Sequence, residues 1–157
     1  MRVLVIDDDP HIRAALRRLL VAKYHAEVAE ASDGMIGLQC LLDYQFDLVL
    51  LDLHMRTMDG METLRAIRRS PKQGSMPVMM LTGDSDESVV GDAKALGVGA
   101  FLVKPVDATI LFERIDAALL SAHDEDRLDG GADLTVPALT SKAPIKRALA
   151  ECVKLRC

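Results

Sequence analysis

No apolar run in this chain approaches the ~20 residues that a membrane-spanning helix requires, so no membrane partner is expected. The opening Met1-Arg2-Val3-Leu4 passes straight into a short aliphatic run followed by acids. It lacks the apolar core and cleavage site of a signal peptide. Cysteine is scarce and odd in number, and Cys40, Cys152 and Cys157 follow no ligand spacing. That argues for a reducing cytoplasm and against a metal–thiolate centre. Positive charge is also in deficit: the formal net charge is -5, which disfavours direct nucleic-acid binding by the main body. There is neither an internal repeat nor a low-complexity segment.

What remains is the composition of a globular protein, 50% hydrophobic and 27% charged, in a chain of 157 residues that suits one domain with a short appendage. The charge divides the chain into three. Residues 123–140 carry Asp124, Glu125, Asp126, Asp129 and Asp133 against Arg127, with Gly130-Gly131 and Pro137, and read as an acidic flexible linker. Residues 141–157 carry Lys142, Lys146, Arg147, Lys154 and Arg156 against Glu151. The two segments cancel, leaving the whole negative excess in residues 1–122.

Within that body the organising stretch is Phe46 to Gly60. Leu48 to Leu51 form an unbroken aliphatic run, the signature of a strand buried on both faces of a parallel sheet. Asp52 follows at once, and a carboxylate there is costly unless it sits at an open mouth with partners for its charge. Val3 to Ile6, closed by Asp7-Asp8-Asp9-Pro10, is a second such run. Asp9 before Pro10 predicts a helix start. Ile12, Leu16, Leu19 and Leu20 form its inner face, with Arg13, Arg17 and Arg18 opposite. His25 to Glu30 reads as a weaker strand near a sheet edge. Ser32 is expected to cap a helix to about Asp43, with Met35, Leu38 and Leu42 inward. A helix over about 61–69 stops before Ser70-Pro71. Pro77 to Thr82 is a fourth strand. Asp84 and Glu87 have capping-box spacing for a helix with Val89, Ala93 and Leu96 inward, ended by Gly97. Phe101-Leu102-Val103 is the fifth strand, and Asp107 caps a helix with Ile110, Leu111, Ile115 and Leu119 inward. Five strand–helix alternations imply an α/β fold: a doubly wound, flavodoxin-like (βα)5 with a parallel sheet ordered 2-1-3-4-5.

In such a sheet every strand's carboxyl end faces one edge, which collects Asp7, Asp8, Asp52, Thr82 and Lys104. Three carboxylates at one mouth cannot all ionise cheaply without a cation. Hard oxygen ligands with room for water suit Mg²⁺. With Lys104 as a point charge and Thr82 as a hydroxyl donor, the group describes a pocket for a phosphoryl group on a carboxylate oxygen. Singly, each piece has a plain structural reading as a cap, turn or strand end; their conjunction on four correctly ordered strands does not.

Residues 1–121 resemble the receiver domain of two-component response regulators (the CheY-like superfamily). The matching motifs are Val5-Ile6-Asp7-Asp8-Asp9-Pro10, Leu51-Asp52-Leu53-His54-Met55, Met58-Asp59-Gly60, Leu81-Thr82-Gly83 and Val103-Lys104-Pro105. The resemblance implies that Asp52 accepts phosphate from a histidine kinase or a histidine phosphotransfer protein. It implies that Asp8, Asp52 and the main-chain carbonyl of His54 bind Mg²⁺, with Asp7 acting through water. Thr82 and Lys104 would hold phosphoryl oxygens, Phe101 would turn inward as Thr82 moves, and the Lys104–Pro105 peptide would be cis. Small Gly83 suits an uncrowded approach beside the threonine. His54 and Asp84 would flank the mouth and tune hydrolysis. The implied product is a signalling switch with slow self-dephosphorylation, not a turnover enzyme. The face made by the fourth helix, fifth strand and fifth helix (Val89 to Leu119) would meet a downstream protein, or a second copy on phosphorylation.

Other readings stay open at this stage. His54 can be a solvated loop histidine, and Phe101 a plain core residue. Arg56 departs from the pattern, standing where a proline is common. Asp7-x-Asp9 also resembles the nucleophile motif of haloacid dehalogenase-like phosphatases, although His11 stands where Thr or Val is wanted. A degenerate receiver would act as a phosphorylation-independent binding module. From Pro144 the tail can form a short basic amphipathic helix with Ile145, Leu149 and Cys152 on one face. It is too short for a helix-turn-helix. It reads as a docking helix, the start of an output domain, a basic peptide for an acidic partner, or a bare solvated extension.

Overall fold

A computed structural model describes residues 1–83 and 87–125. The ten elements alternate: β1 (Arg2–Ile6), α1 (Pro10–Tyr24), β2 (Glu27–Ala31), α2 (Gly34–Asp43), β3 (Leu48–Asp52), α3 (Gly60–Arg69), β4 (Val78–Thr82), α4 (Glu87–Ala95), β5 (Ala100–Val103) and α5 (Ala108–Glu125). The five strands are parallel and ordered β2-β1-β3-β4-β5. The polar strand β2 is thus at one edge and the uninterrupted aliphatic strand β3 at the centre.

Strand alternation splits the core into two layers. Leu4, Ile6, Val49, Leu51, Val78 and Met80 face α2, α3 and α4. Val3, Val5, Leu48, Leu50, Met79 and Leu81 face α1 and α5. Every residue of β3 and β4 is buried, as a sheet covered on both sides requires. Across the second layer, Tyr24 of α1 stacks edge-on against Phe112 of α5, 5.7 Å between ring centres, and donates to Asp116 at 2.9 Å.

The local signals act largely as read. Asp9 caps α1, its side chain accepting from the His11 N–H at 2.7 Å, with Pro10 in the first turn. Asp107 caps α5 through the N–H groups of Thr109 and Ile110. Asp59 and Glu62 close a reciprocal capping box on α3. Gly97 has φ +70 beyond the end of α4.

Four expectations need correction. Asp33, not Ser32, caps α2, because its carboxylate reaches the Ile36 N–H at 2.9 Å. The inward residues of α2 are Gly34, Gly37, Cys40 and Leu41, while Met35 and Leu42 are exposed and Leu38 is half-buried. The helix lies so close that a Cβ on Gly37 would strike Ile6, and one on Gly34 would strike Thr63 of α3. Small residues therefore face the core and larger ones are displaced to the rim. On α5, Ile110 is exposed and Leu111 takes the inner place. His25 ends α1 in the left-handed conformation (φ 49), so β2 begins only at Glu27. The Asp84 helix start and the terminal segment 141–157 lie outside the described residues. So does the 123–140 segment beyond Glu125, up to which α5 continues.

Candidate phosphoacceptor site

Parallel pairing brings the ends of β1, β3, β4 and β5 to one edge. Ile6 pairs with Leu51, Asp52 with Leu81, and Thr82 with Val103, so Asp7, Asp52, Thr82 and Lys104 all emerge there. The N–H of Lys104 donates to the Thr82 carbonyl at 2.8 Å, closing the β4–β5 side of the mouth.

Asp7 and Asp52 are buried polar residues, and the Lys104 ammonium lies between them. Its Nζ is 2.8 Å from Asp52 Oδ1 and 2.9 Å from Asp7 Oδ2. Asp7 Oδ1 accepts from the Asp9 N–H at 2.8 Å. Asp7 Oδ2 meets the lysine only as an ion pair and accepts no well-directed hydrogen bond among the described residues. Burial pushes the Asp52 carboxyl above its usual pKa. The hydrogen bond from Lys104 opposes this, the charge of Asp7 adds to it, and the Lys104 charge and the His54 backbone N–H again oppose it. For Lys104, burial favours the neutral amine, but its close contacts with the Asp52 and Asp7 carboxylates, and their charges, outweigh it and raise its pKa.

Asp8 is the outer carboxylate. One oxygen from each of Asp7, Asp8 and Asp52 lies within 4.8 Å of the others, close enough to share a metal ion. Three hard oxygen donors, one of them buried and under-satisfied, fit a small divalent cation. The outer face of Asp8 is taken by Arg56, whose Nε is 3.2 Å from Asp8 Oδ2.

Two supports were not legible as such. Gly60 opens α3 so close to the end of β3 that a Cβ would strike the Asp52 carbonyl oxygen and lie 2.8 Å from Leu53 Cα. Its N–H donates to the Leu53 carbonyl at 3.0 Å, so the start of α3 and the end of β3 form one unit. Arg13, placed on the polar side of α1 by periodicity, turns back to donate to the Asp7 carbonyl at 2.6 Å and stands 3.5 Å from Glu30.

Of the remaining candidates, Thr82 is buried and its hydroxyl donates to the Gly83 carbonyl at 3.0 Å. Phe101 is half-buried against the α2–α3–α4 layer, paired in register with Met80. The His54 side chain is exposed. A Cβ at Gly83 would meet nothing within 4 Å among the described residues. The Lys104–Pro105 peptide is cis. Asp84 is outside the described residues.

The model of the response regulator receiver domain matches residues 3–116. This chain belongs to that family. Among curated relatives the receiver is 33% identical over 116 residues to a chemotaxis protein CheY of Pseudomonas aeruginosa. That match covers 74% of this chain and 94% of the relative. It is 37% identical over 123 residues to the transcriptional regulatory protein AfsQ1 of Streptomyces coelicolor, covering 78% of this chain and 53% of the relative. Among solved structures, a response regulator receiver domain protein from Clostridium thermocellum superimposes with a TM-score of 0.73 at 31% identity, covering 79% of this chain and 98% of the other. Receivers thus occur here both as nearly whole relatives and as parts of longer ones. Of the Asp7-x-Asp9 pair, Asp9 caps α1 and Asp7 is paired with Lys104. No helix of the described residues is long and apolar enough to cross a membrane.

Proposed function

We propose that this receiver takes a phosphoryl group from the phosphohistidine of a histidine kinase or histidine phosphotransfer protein onto Asp52. The observation that carries the reading is the setting of Asp52. It ends the central strand, it is buried, its oxygen is 2.8 Å from Lys104, and it shares a potential cation site with Asp7 and Asp8. An Asp52 oxygen attacks phosphorus, the P–N bond breaks, and the imidazole leaves with the electron pair and acquires a proton.

Asp8, Asp52 and the His54 main-chain carbonyl would hold Mg²⁺, with Asp7 acting through water. When bound, the ion supplies positive charge at the phosphoryl oxygens, as Lys104 does from the other side. Lys104 must release Asp7 or Asp52 in part to do so, which its place between them allows. The Thr82 hydroxyl exchanges its Gly83 carbonyl for a phosphoryl oxygen. That differential contact biases the chain toward a second conformation, with Phe101 following into the vacated space. The acyl phosphate then hydrolyses slowly, at a rate set partly by the flanking His54 and Asp84. The output is a downstream protein or a fused output domain. The α4–β5–α5 face, where Val103 and Ile110 are exposed, is the surface offered to it or to a second copy.

Intact-protein mass after incubation with acetyl phosphate and Mg²⁺ tests this reading. One adduct of about 80 Da is expected, dependent on Mg²⁺ and absent in Asp52→Asn. Decay of that adduct in His54→Ala reports the tuning role, and sizing the same samples reports dimerisation. No adduct with fresh donor, and no response to a beryllofluoride mimic, would replace the switch with a phosphorylation-independent binding module.

A further inference from the structure

The pocket holds three carboxylates and, in this state, two cations that answer them. Lys104 spans the two buried acids, Asp7 and Asp52. The third, Asp8, is paired with Arg56, 3.2 Å from Nε to Oδ2. The two cations differ in how firmly they are held. Lys104 projects from the end of β5 and its side chain is 23% exposed. Arg56 stands on the loop between β3 and α3 with its side chain 89% exposed, tethered in the described contacts by this pair alone. An exposed pair of this kind is weak and easily exchanged. Asp8 itself is only 27% exposed, and Arg56 takes one of its two oxygens, Oδ2.

We infer that Arg56 is a built-in competitor for the cation: its guanidinium pairs with Asp8 Oδ2, and Mg²⁺ ligation by Asp8 must weaken or displace that pair. This inference rests on the proposed role of Asp8 as a metal ligand. Two consequences follow from elementary electrostatics. The pocket holds its cation less tightly than the three carboxylates alone would, because metal loading must weaken one ion pair and bring a divalent ion toward a nearby positive charge. Loading also frees the β3–α3 loop from Asp8, so cation occupancy changes the restraint on the segment that joins Asp52 to Gly60. A proline at 56 could do neither. The departure at this position therefore replaces a rigid loop residue with a charge directed at the site.

The experiment is calorimetric titration of the full chain with Mg²⁺, without phosphoryl donor, in wild type, Arg56→Ala, Arg56→Lys and Lys72→Ala. Lys72 is an exposed cation beyond the end of α3, at the opposite edge of the sheet, and controls for the change in net charge. Arg56→Ala is expected to bind Mg²⁺ about three- to tenfold more tightly, with Arg56→Lys between it and wild type and Lys72→Ala unchanged. Raising the salt should shrink the difference, since an exposed pair is screened. Equal affinity in wild type and Arg56→Ala, weaker binding in Arg56→Ala, or an equal gain in Lys72→Ala would overturn the inference and leave the metal site standing. Absence of Mg²⁺ binding in every protein would instead remove the metal-ligand reading and this inference with it.

Discussion

The two edges of the sheet are built on opposite principles. At the carboxyl edge, buried acids face one another across a single lysine, and Asp7 Oδ2 is left under-satisfied. At the amino edge, charge is used to close gaps. The Arg68 guanidinium donates to the carbonyls of Leu96 at 2.7 Å, Met76 at 2.9 Å and Gly97 at 2.8 Å, and Gln73 donates to the Leu41 carbonyl. These bonds tie the end of α3 to the end of α4 and the approach to β4, beside a groove lined by Leu38, Phe46, Ile67 and Met76. One edge retains electrostatic tension that a ligand can relieve; the other has its polar groups met by its own chain.

The comparison can be broken most severely at Gly60. Alanine there would place a Cβ against the Asp52 carbonyl and Leu53 Cα, backbone atoms that cannot step aside. Overpacking of this kind costs about 3 kcal/mol, so urea unfolding of Gly60→Ala should show a loss of that order and weakened phosphate uptake. Arg68→Ala tests the quiet edge. Stranding three carbonyls should cost about 2 kcal/mol in the same assay while leaving the Asp52 adduct intact. Loss of phosphate uptake in Arg68→Ala at a temperature where it stays folded would show that the edges are not separable.

The smallest effect is at Asp52, and it has a sign. Folding holds the Asp52 carboxyl above its ordinary value, chiefly through burial. Its protonated form therefore adds stability that is full below about pH 4 and is lost as pH rises through the raised value. Asparagine does not titrate. Without metal, the stability of Asp52→Asn relative to wild type should grow from pH 4 toward neutrality, and Mg²⁺ should reduce the gap by favouring the carboxylate. Denaturant midpoints across that range check it; a gap independent of pH would remove burial of the charge as the cause.

The strand order and the five residues at the carboxyl edge were legible because both rest on short-range signals. Continuous aliphatic runs mark strands buried on two faces, and the polar residue ending each run must lie at the same edge once the strands are parallel. What was not legible depends on distance of approach. Periodicity places large residues inward on α2, yet the helix packs so closely on Ile6 and Thr63 that glycine must occupy the inner face, and Met35 and Leu42 are exposed. Arginine roles were equally hidden. Arg13 reads only as the polar side of a helix and Arg56 only as a departure from a common proline, and the fold alone shows which carbonyl or carboxylate each long side chain reaches. A capping choice between Ser32 and Asp33 was one residue out because either side chain can accept from the first turn.

The alternation of β3 has one further effect. Leu50 enters one hydrophobic layer and Leu51 the other, immediately before Asp52. Asp52 therefore stands at the tip of a lever whose shaft is gripped on both sides, and a push on it is divided between two helical layers at once. Partners reading opposite faces of the molecule could receive the same event with no relay running from one face to the other.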